Sequence, residues 1–372
     1  MSETQNTPIT IPNELLPVDG RFGSGPSKVR PEQLEYLNKN SHLLGTSHRQ
    51  KPIKKIVAGI QEKMATLFAL PSDYEVLLTN GGASLMWDAA SFSVIKNKSA
   101  HAVYGEFSSR FAAISKKAPH LDEPLIVEAQ PGIAAYLKTD SSVDTYCLTH
   151  NETSTGVMVS PYRVGDEQSV VMIDATSGAG SCAVDPLLYD MYYFSPQKCF
   201  GADGGIVFAL CSPAMIARIE SVDRYAPAIL DLKTTIENSR LNQTLNTPAL
   251  TTLFLVDSQL DWLLENGGMD FAHKRCSDSS SQLYTWAENH ELTSPFVTNT
   301  EERSLVTATI DIAESIDAED VVATLRANGI VDCDPYRKLG RNQIRVATFP
   351  SVDPDDISQL IKSLDFVITA LA

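Results

Sequence analysis

No apolar run in this 372-residue chain approaches the roughly 20 residues that a membrane-crossing helix requires. A bilayer span is therefore not expected. Basic residues are scarce: 30 Lys and Arg stand against 46 Asp and Glu, a formal net charge of −16, which disfavours a broad surface for nucleic acid or anionic lipid. An anionic ligand must instead be met by a local cluster of cations. The six cysteines, Cys147, Cys182, Cys199, Cys211, Cys276 and Cys333, are scattered without a CxxC pair, so neither a metal site nor a disulfide framework is expected. They read as reduced thiols, mostly in the core. The start MSETQNTPIT has neither the basic nor the apolar stretch of a secretion signal, and the expected location is the cytoplasm. Internal repeats, low-complexity tracts and the patterns GxGxxG and GxxxxGK[ST] are also missing, which removes the usual support for a dinucleotide or P-loop site.

What is present is a composition, 43% hydrophobic and 20% charged, that can bury a large core, as expected of two closely packed domains. Between residues 74 and 210, short β-branched runs alternate with amphipathic stretches, and 75–79, 101–104, 145–149, 170–173, 191–194 and 206–210 read as strands. This rhythm predicts an α/β layer with a mostly parallel sheet covered by helices. Helical spacing follows over 247–265 and 269–289. The rhythm then changes to strand (304–311), helix (318–327), strand (343–348) and helix (355–371), a smaller α+β unit. The expected division is an N-terminal arm (1–24) joining the small domain, a large domain (25–268) and a small C-terminal domain (269–372).

Three segments carry chemistry. Lys198 sits in the polar, Gly-rich stretch 195–205 between two apolar strands, where a partly desolvated amine can lose its proton and attack a carbonyl. Asp174 ends the apolar run Val170-Val171-Met172-Ile173, at the strand end where open α/β sheets bind ligands; facing a pyridine ring, it would keep the ring nitrogen protonated. Gly81-Gly82-Ala83-Ser84 joins a strand to a helix, and free N–H groups there favour a phosphate. Each has an ordinary reading when taken alone: a solvated surface lysine, a helix-capping aspartate, a plain strand–helix turn.

Read in chain order, GGAS (81–84), VVMIDATSGAG (170–180) and YYFSPQKCFGADGG (192–205) resemble the phosphate loop, ring-nitrogen aspartate and Schiff-base lysine of fold-type-I, class V pyridoxal-phosphate enzymes. With RFGSGPS (21–27), GTSHR (45–49), HNETSTG (150–156) and NTP (246–248), the resemblance narrows to the phosphoserine aminotransferase family, from Arg21 to the C-terminus. It implies pyridoxal 5'-phosphate as cofactor, with Lys198 and Asp174 catalytic. It further implies that Ala83, Ser84 and Gln197 contact the cofactor phosphate and that Thr153 lies beside the ring hydroxyl. Phe107 would stack on the ring, where many relatives have tryptophan; its ordinary reading is core packing. Asn246 and Thr247 resemble a pair reaching the cofactor phosphate of the other subunit, which implies a homodimer with shared active sites. Alternation along 343–348 puts Arg345 on the face opposite Ile344 and Val346, and in the family this position forks around the substrate α-carboxylate. His48 and Arg49 would bind the acidic group at the substrate's other end. Tyr336-Arg337-Lys338 stands where relatives commonly carry a His-Arg pair. The implied reaction converts 3-phosphohydroxypyruvate and L-glutamate into O-phospho-L-serine and 2-oxoglutarate. Other class V activities are the alternative: an alanine–glyoxylate type transaminase, or a cysteine desulfurase with Cys333 as its thiol.

Overall fold

The run Val170–Asp174 offers apolar side chains to both of its faces, and the computed structural model, which describes residues 9–372, sets it in the middle of a seven-stranded sheet. Residues 1–8 of the expected arm lie outside the described residues. In chain order the strands are β1 (Glu75–Asn80), β2 (Ser99–Val103), β3 (Leu125–Glu128), β4 (Thr145–Thr149), β5 (Asn151–Glu152), β6 (Val157–Met158), β7 (Val170–Asp174), β8 (Met191–Phe194), β9 (Ile206–Cys211), β10 (Thr293–Pro295), β11 (Thr307–Ile312) and β12 (Gln343–Ala347). The large sheet has the order β1-β9-β8-β7-β4-β2-β3. All neighbours run parallel except where β9 meets β1 and β8, so the sheet is mostly parallel as its sequence rhythm predicts. The pleat divides the side chains: Val171, Ile173, Tyr192 and Phe194 enter the core on one face, Val170, Met172, Met191 and Tyr193 the core on the other.

The helices are α1 (Pro31–Asn40), α2 (Lys51–Leu67), α3 (Leu85–Ser93), α4 (Glu106–Lys117), α5 (Pro213–Ser221), α6 (Leu232–Arg240), α7 (Leu250–Glu265), α8 (Met269–Asn289), α9 (Ala318–Ala327) and α10 (Pro354–Leu371). One face of the sheet is covered by α1, α2 and α7, the other by α3 to α6. The long α8 belongs to two cores. Its Met269 and Ala272 pack with the large sheet, whereas Leu283, Tyr284 and Ala287 pack with the antiparallel sheet β10-β11-β12 and with α9 and α10. Ile11 and Phe22 enter that second core from the other end of the chain, and the Phe22 carbonyl accepts from the Ala347 N–H at 2.9 Å. Among the described residues no helix is long and apolar enough to cross a membrane.

Three departures from the sequence expectations have local causes. Strand β3 is a four-residue edge strand with every second residue exposed, too short to announce itself. Helix α7 starts at Leu250 rather than 247, because the Thr247 carbonyl is held at 3.0 Å by the Asn80 side-chain amide and Pro248 biases the residue before it toward extended backbone. Strand β11 starts at Thr307 because Ser304 Oγ accepts from the Val306 and Thr307 N–H groups at 3.1 and 2.9 Å, closing a turn ahead of it.

The two sheets meet at the hairpin β5–β6. Gly156, at φ 73°, lets the turn press on β11, where Thr309 Oγ1 donates to the Thr155 carbonyl at 3.0 Å. A Cβ on Gly156 would stand 2.5 Å from Thr309 Oγ1 and 3.0 Å from the Thr307 carbonyl oxygen. Gly156→Ala is therefore expected to destabilise the protein by about 1–3 kcal/mol, the usual cost of a side chain in strained backbone. Urea unfolding checks this; an unchanged midpoint would show that the hairpin moves aside freely.

Candidate active site

The parallel strands β1, β4, β7 and β8 finish along one edge of the sheet, and the polar residues that follow them converge there. Gly82, Ala83 and Ser84 follow β1, Thr149 ends β4, Asp174 ends β7, and Gln197 and Lys198 follow β8. Together with Trp87, Phe107, Arg110, Asn151, Thr153, Thr176 and Ser177 they line a cavity of about 220 Å³. Seven of the residues singled out from sequence thus share one cavity: Ala83, Ser84, Phe107, Thr153, Asp174, Gln197 and Lys198.

Lys198 opens into the cavity, yet its amine is packed among protein atoms and donates to the Ser24 carbonyl. The backbone at Gly25 lies so close to the amine that a Cβ there would overlap it. Burial, reinforced by the nearby Arg345 guanidinium, brings the amine's pKa down to about 8 from an ordinary 10.5, against the opposing pull of Cys199 and Asp174. A large fraction of Lys198 is therefore neutral, and nucleophilic, near pH 8.

Asp174 is buried at the far side of the cavity. Its Oδ1 accepts from the Thr176 N–H at 3.0 Å and the Thr176 hydroxyl at 2.5 Å, and its Oδ2 from the Trp87 indole Nε1–H at 2.9 Å. Thr153 is fixed by its hydroxyl donating to Ser177 Oγ at 2.8 Å. Gln197 Oε1 and Asn151 Oδ1 are buried without a partner. The helix that carries Phe107 and Arg110 is capped by Glu152, whose carboxylate accepts from the Phe107 and Ser108 N–H groups at 3.3 and 3.0 Å. Burial raises the Glu152 pKa, while these bonds and those from Ser108 and Ser154 oppose the rise.

Arg345 sits opposite Thr309 on the small sheet, with Ile344 and Val346 buried beneath it. Its Nη1 donates to the Thr153 carbonyl at 3.1 Å, and its guanidinium lies 5.5 Å above the Tyr336 ring. Its Nε is buried without a partner, and burial lowers its pKa. Arg345, Tyr336 and Gly23 to Gly25 line a second cleft of about 830 Å³, which shares Ser24 with the Lys198 hydrogen bond.

Four of the expected residues line neither of these two cavities. His48 is buried with Nε2 unpartnered, its pKa lowered by burial and then by Arg49. Arg49 reaches the Leu245 carbonyl at 3.4 Å. Asn246 and Thr247 are exposed, tied to Asn80 by bonds of 3.2 and 3.0 Å. Arg49, Asn246 and Thr247 thus lie near Asn80, at the end of β1. Trp87, Arg110, Glu152, Thr176 and Ser177 were not singled out from sequence. Glu152, Thr176 and Ser177 lie inside the quoted segments, and Trp87 lies three residues past GGAS. Cys333 is buried and its thiol is pushed up to about 12 by that burial, which runs against a desulfurase thiolate.

The family model for aminotransferase class-V matches residues 26–331. Curated phosphoserine aminotransferases of Rhodococcus jostii (strain RHA1) and Rhodococcus opacus (strain B4) are each 52% identical over 371 residues, spanning 98% of this chain and 99% of theirs. A solved phosphoserine aminotransferase from Cytophaga hutchinsonii superposes with TM-score 0.85 at 24% identity, covering 94% of this chain and 99% of that one, a likeness of fold.

The environment of Lys198 fixes a pH dependence. In the cofactor-free protein, labelling of Lys198 by an amine-reactive reagent, read by peptide mapping, should rise with a midpoint near pH 8, because the neutral amine is the reacting form. A midpoint near the ordinary lysine value of 10.5 would contradict the buried setting.

Proposed function

The chain belongs to the class-V aminotransferases, and from that membership we propose that it transfers the amino group of L-glutamate to 3-phosphohydroxypyruvate, yielding O-phospho-L-serine and 2-oxoglutarate, in the cytoplasm and in the service of serine biosynthesis. The observation that carries this reading is the convergence of Lys198, Asp174 and the Gly82–Ser84 turn on one cavity, with the unpartnered Nε of Arg345 beside it.

The cavity's chemistry suits pyridoxal 5'-phosphate. Gln197 Oε1 and Asn151 Oδ1 are buried and unpartnered, a carboxylate stands at one side and an amine of lowered pKa at another. In this reading Lys198 holds the cofactor through its amine, Asp174 meets the ring nitrogen, Thr153 lies beside the ring hydroxyl and Phe107 covers a ring face. Ala83, Ser84 and Gln197 hold the phosphate, aided by the N-terminus of α3. When bound, the cofactor supplies an electron sink for the pair released as a proton leaves the substrate Cα.

The protein's own groups do the rest. Lys198 Nζ, released when the substrate amine takes its place on the cofactor, would move the proton from the substrate Cα to the cofactor carbon, a role that requires an amine able to be neutral near neutral pH. Arg345 offers its unsatisfied Nε–H to the substrate α-carboxylate, which every amino donor shares. His48 and Arg49 recognise the distal acidic group. Because Asn246 and Thr247 face outward and these four residues line neither cavity, the reading requires a homodimer in which a copy lends Asn246 and Thr247 to its partner's cavity. Sedimentation as a monomer would remove this shared site.

Steady-state kinetics with glutamate, phosphoserine and alanine test the residue roles. Lys198→Ala should abolish turnover while retaining some cofactor binding. Arg345→Ala should lower kcat/KM for glutamate and phosphoserine alike by about ten- to hundredfold, from the loss of roughly 1.5–3 kcal/mol of charge-assisted contact. Arg49→Ala should affect phosphoserine more than alanine; equal losses on all three donors would remove Arg49 from phosphate recognition.

A further inference from the structure

Trp87 is 3% exposed and sits in the first turn of α3, with its indole Nε1–H donating to Asp174 Oδ2 at 2.9 Å. Oδ1 of the same carboxylate already takes both Thr176 donors. The indole has two further neighbours: Phe111 stacks on it, centroids 6.2 Å apart and planes at 17°, and the Arg110 guanidinium lies 5.4 Å from its centroid. A phenylalanine would keep an aromatic ring in this stack but is smaller and brings no N–H. The tryptophan's N–H is spent on the carboxylate that lines the cavity.

We propose that Trp87 is a positioning residue for Asp174: its N–H fixes the carboxylate plane so that the remaining lone pair of Oδ2 faces the cofactor's ring nitrogen. The inference rests on the reading that Asp174 meets the ring nitrogen, and its test separates the two.

The chain has three tryptophans, which makes the indole N–H signals individually assignable by NMR. In the cofactor-free protein, Asp174→Asn should shift the Trp87 indole signal and leave those of Trp262 and Trp286 in place. Pyridoxal phosphate titrated into the cofactor-free full chain, followed by absorbance, should bind about tenfold more weakly to Trp87→Phe. In the Asp174→Asn background the same substitution should change the affinity less than about twofold, since the effect passes through the carboxylate. Equal losses in both backgrounds would overturn the inference alone, because the tryptophan would then act by packing. An Asp174→Asn protein that binds the cofactor as tightly as wild type would overturn the reading of Asp174 and this inference with it. Should Trp87→Phe fail to fold, the NMR comparison decides: an unmoved Trp87 signal refutes the contact, and a shifted one upholds it.

Discussion

The amine of Lys198 gives up contact with water without gaining an ion pair, and most of the site is arranged around that exchange. Lowering its pKa from 10.5 to about 8 corresponds to roughly 3 kcal/mol set against the charged form. The fold supplies this by crowding. The Gly25 backbone lies against the amine where no side chain fits, the Ser24 carbonyl accepts its hydrogen, and the Arg345 guanidinium repels its charge. In a chain with an excess of 16 acidic groups, the site sets the Lys198 amine near the Arg345 guanidinium, with Asp174 pulling the other way.

That arrangement needs two separate sheets to register within a hydrogen-bond length. Lys198 and Asp174 belong to the large sheet, Arg345 to the small one, and the hairpin β5–β6 joins them. Thr155 receives Thr309, the residue paired with Arg345 across β11 and β12, and Thr153 receives Arg345 itself. Helix α8, shared by both cores, and the chain around Phe22, tied to Ala347, hold the layers from two further directions. The turn at Gly156 therefore bears on where Arg345 stands.

The sequence made the large sheet readable where strands are buried on both faces: Val170–Asp174 and Ile206–Cys211 are apolar almost throughout, a pattern that water would not tolerate elsewhere. It did not reveal β3, whose half-exposed edge position leaves no such run. At the site, Lys198, Asp174 and the Gly-Gly turn were legible because each interrupts an apolar pattern with a polar group at a strand end. Trp87 and Glu152 were not, since their roles depend on partners far away in sequence: Asp174 lies 87 residues from Trp87, and Ser108 lies 44 from Glu152. Arg110 reads as an ordinary charged residue on an amphipathic helix until the fold turns it toward the cavity. His48, Arg49, Asn246 and Thr247 were singled out by resemblance, and a single chain gives them no cavity of their own.

The central claim is that Lys198 is the residue that carries the cofactor, and chemical trapping addresses it most directly. The cofactor-loaded protein, reduced with borohydride, digested and mapped by mass spectrometry, should carry a phosphopyridoxyl group on the peptide containing Lys198 and on no other lysine in stoichiometric amount. A stoichiometric label on a different lysine, with Lys198 unmodified, would contradict the account.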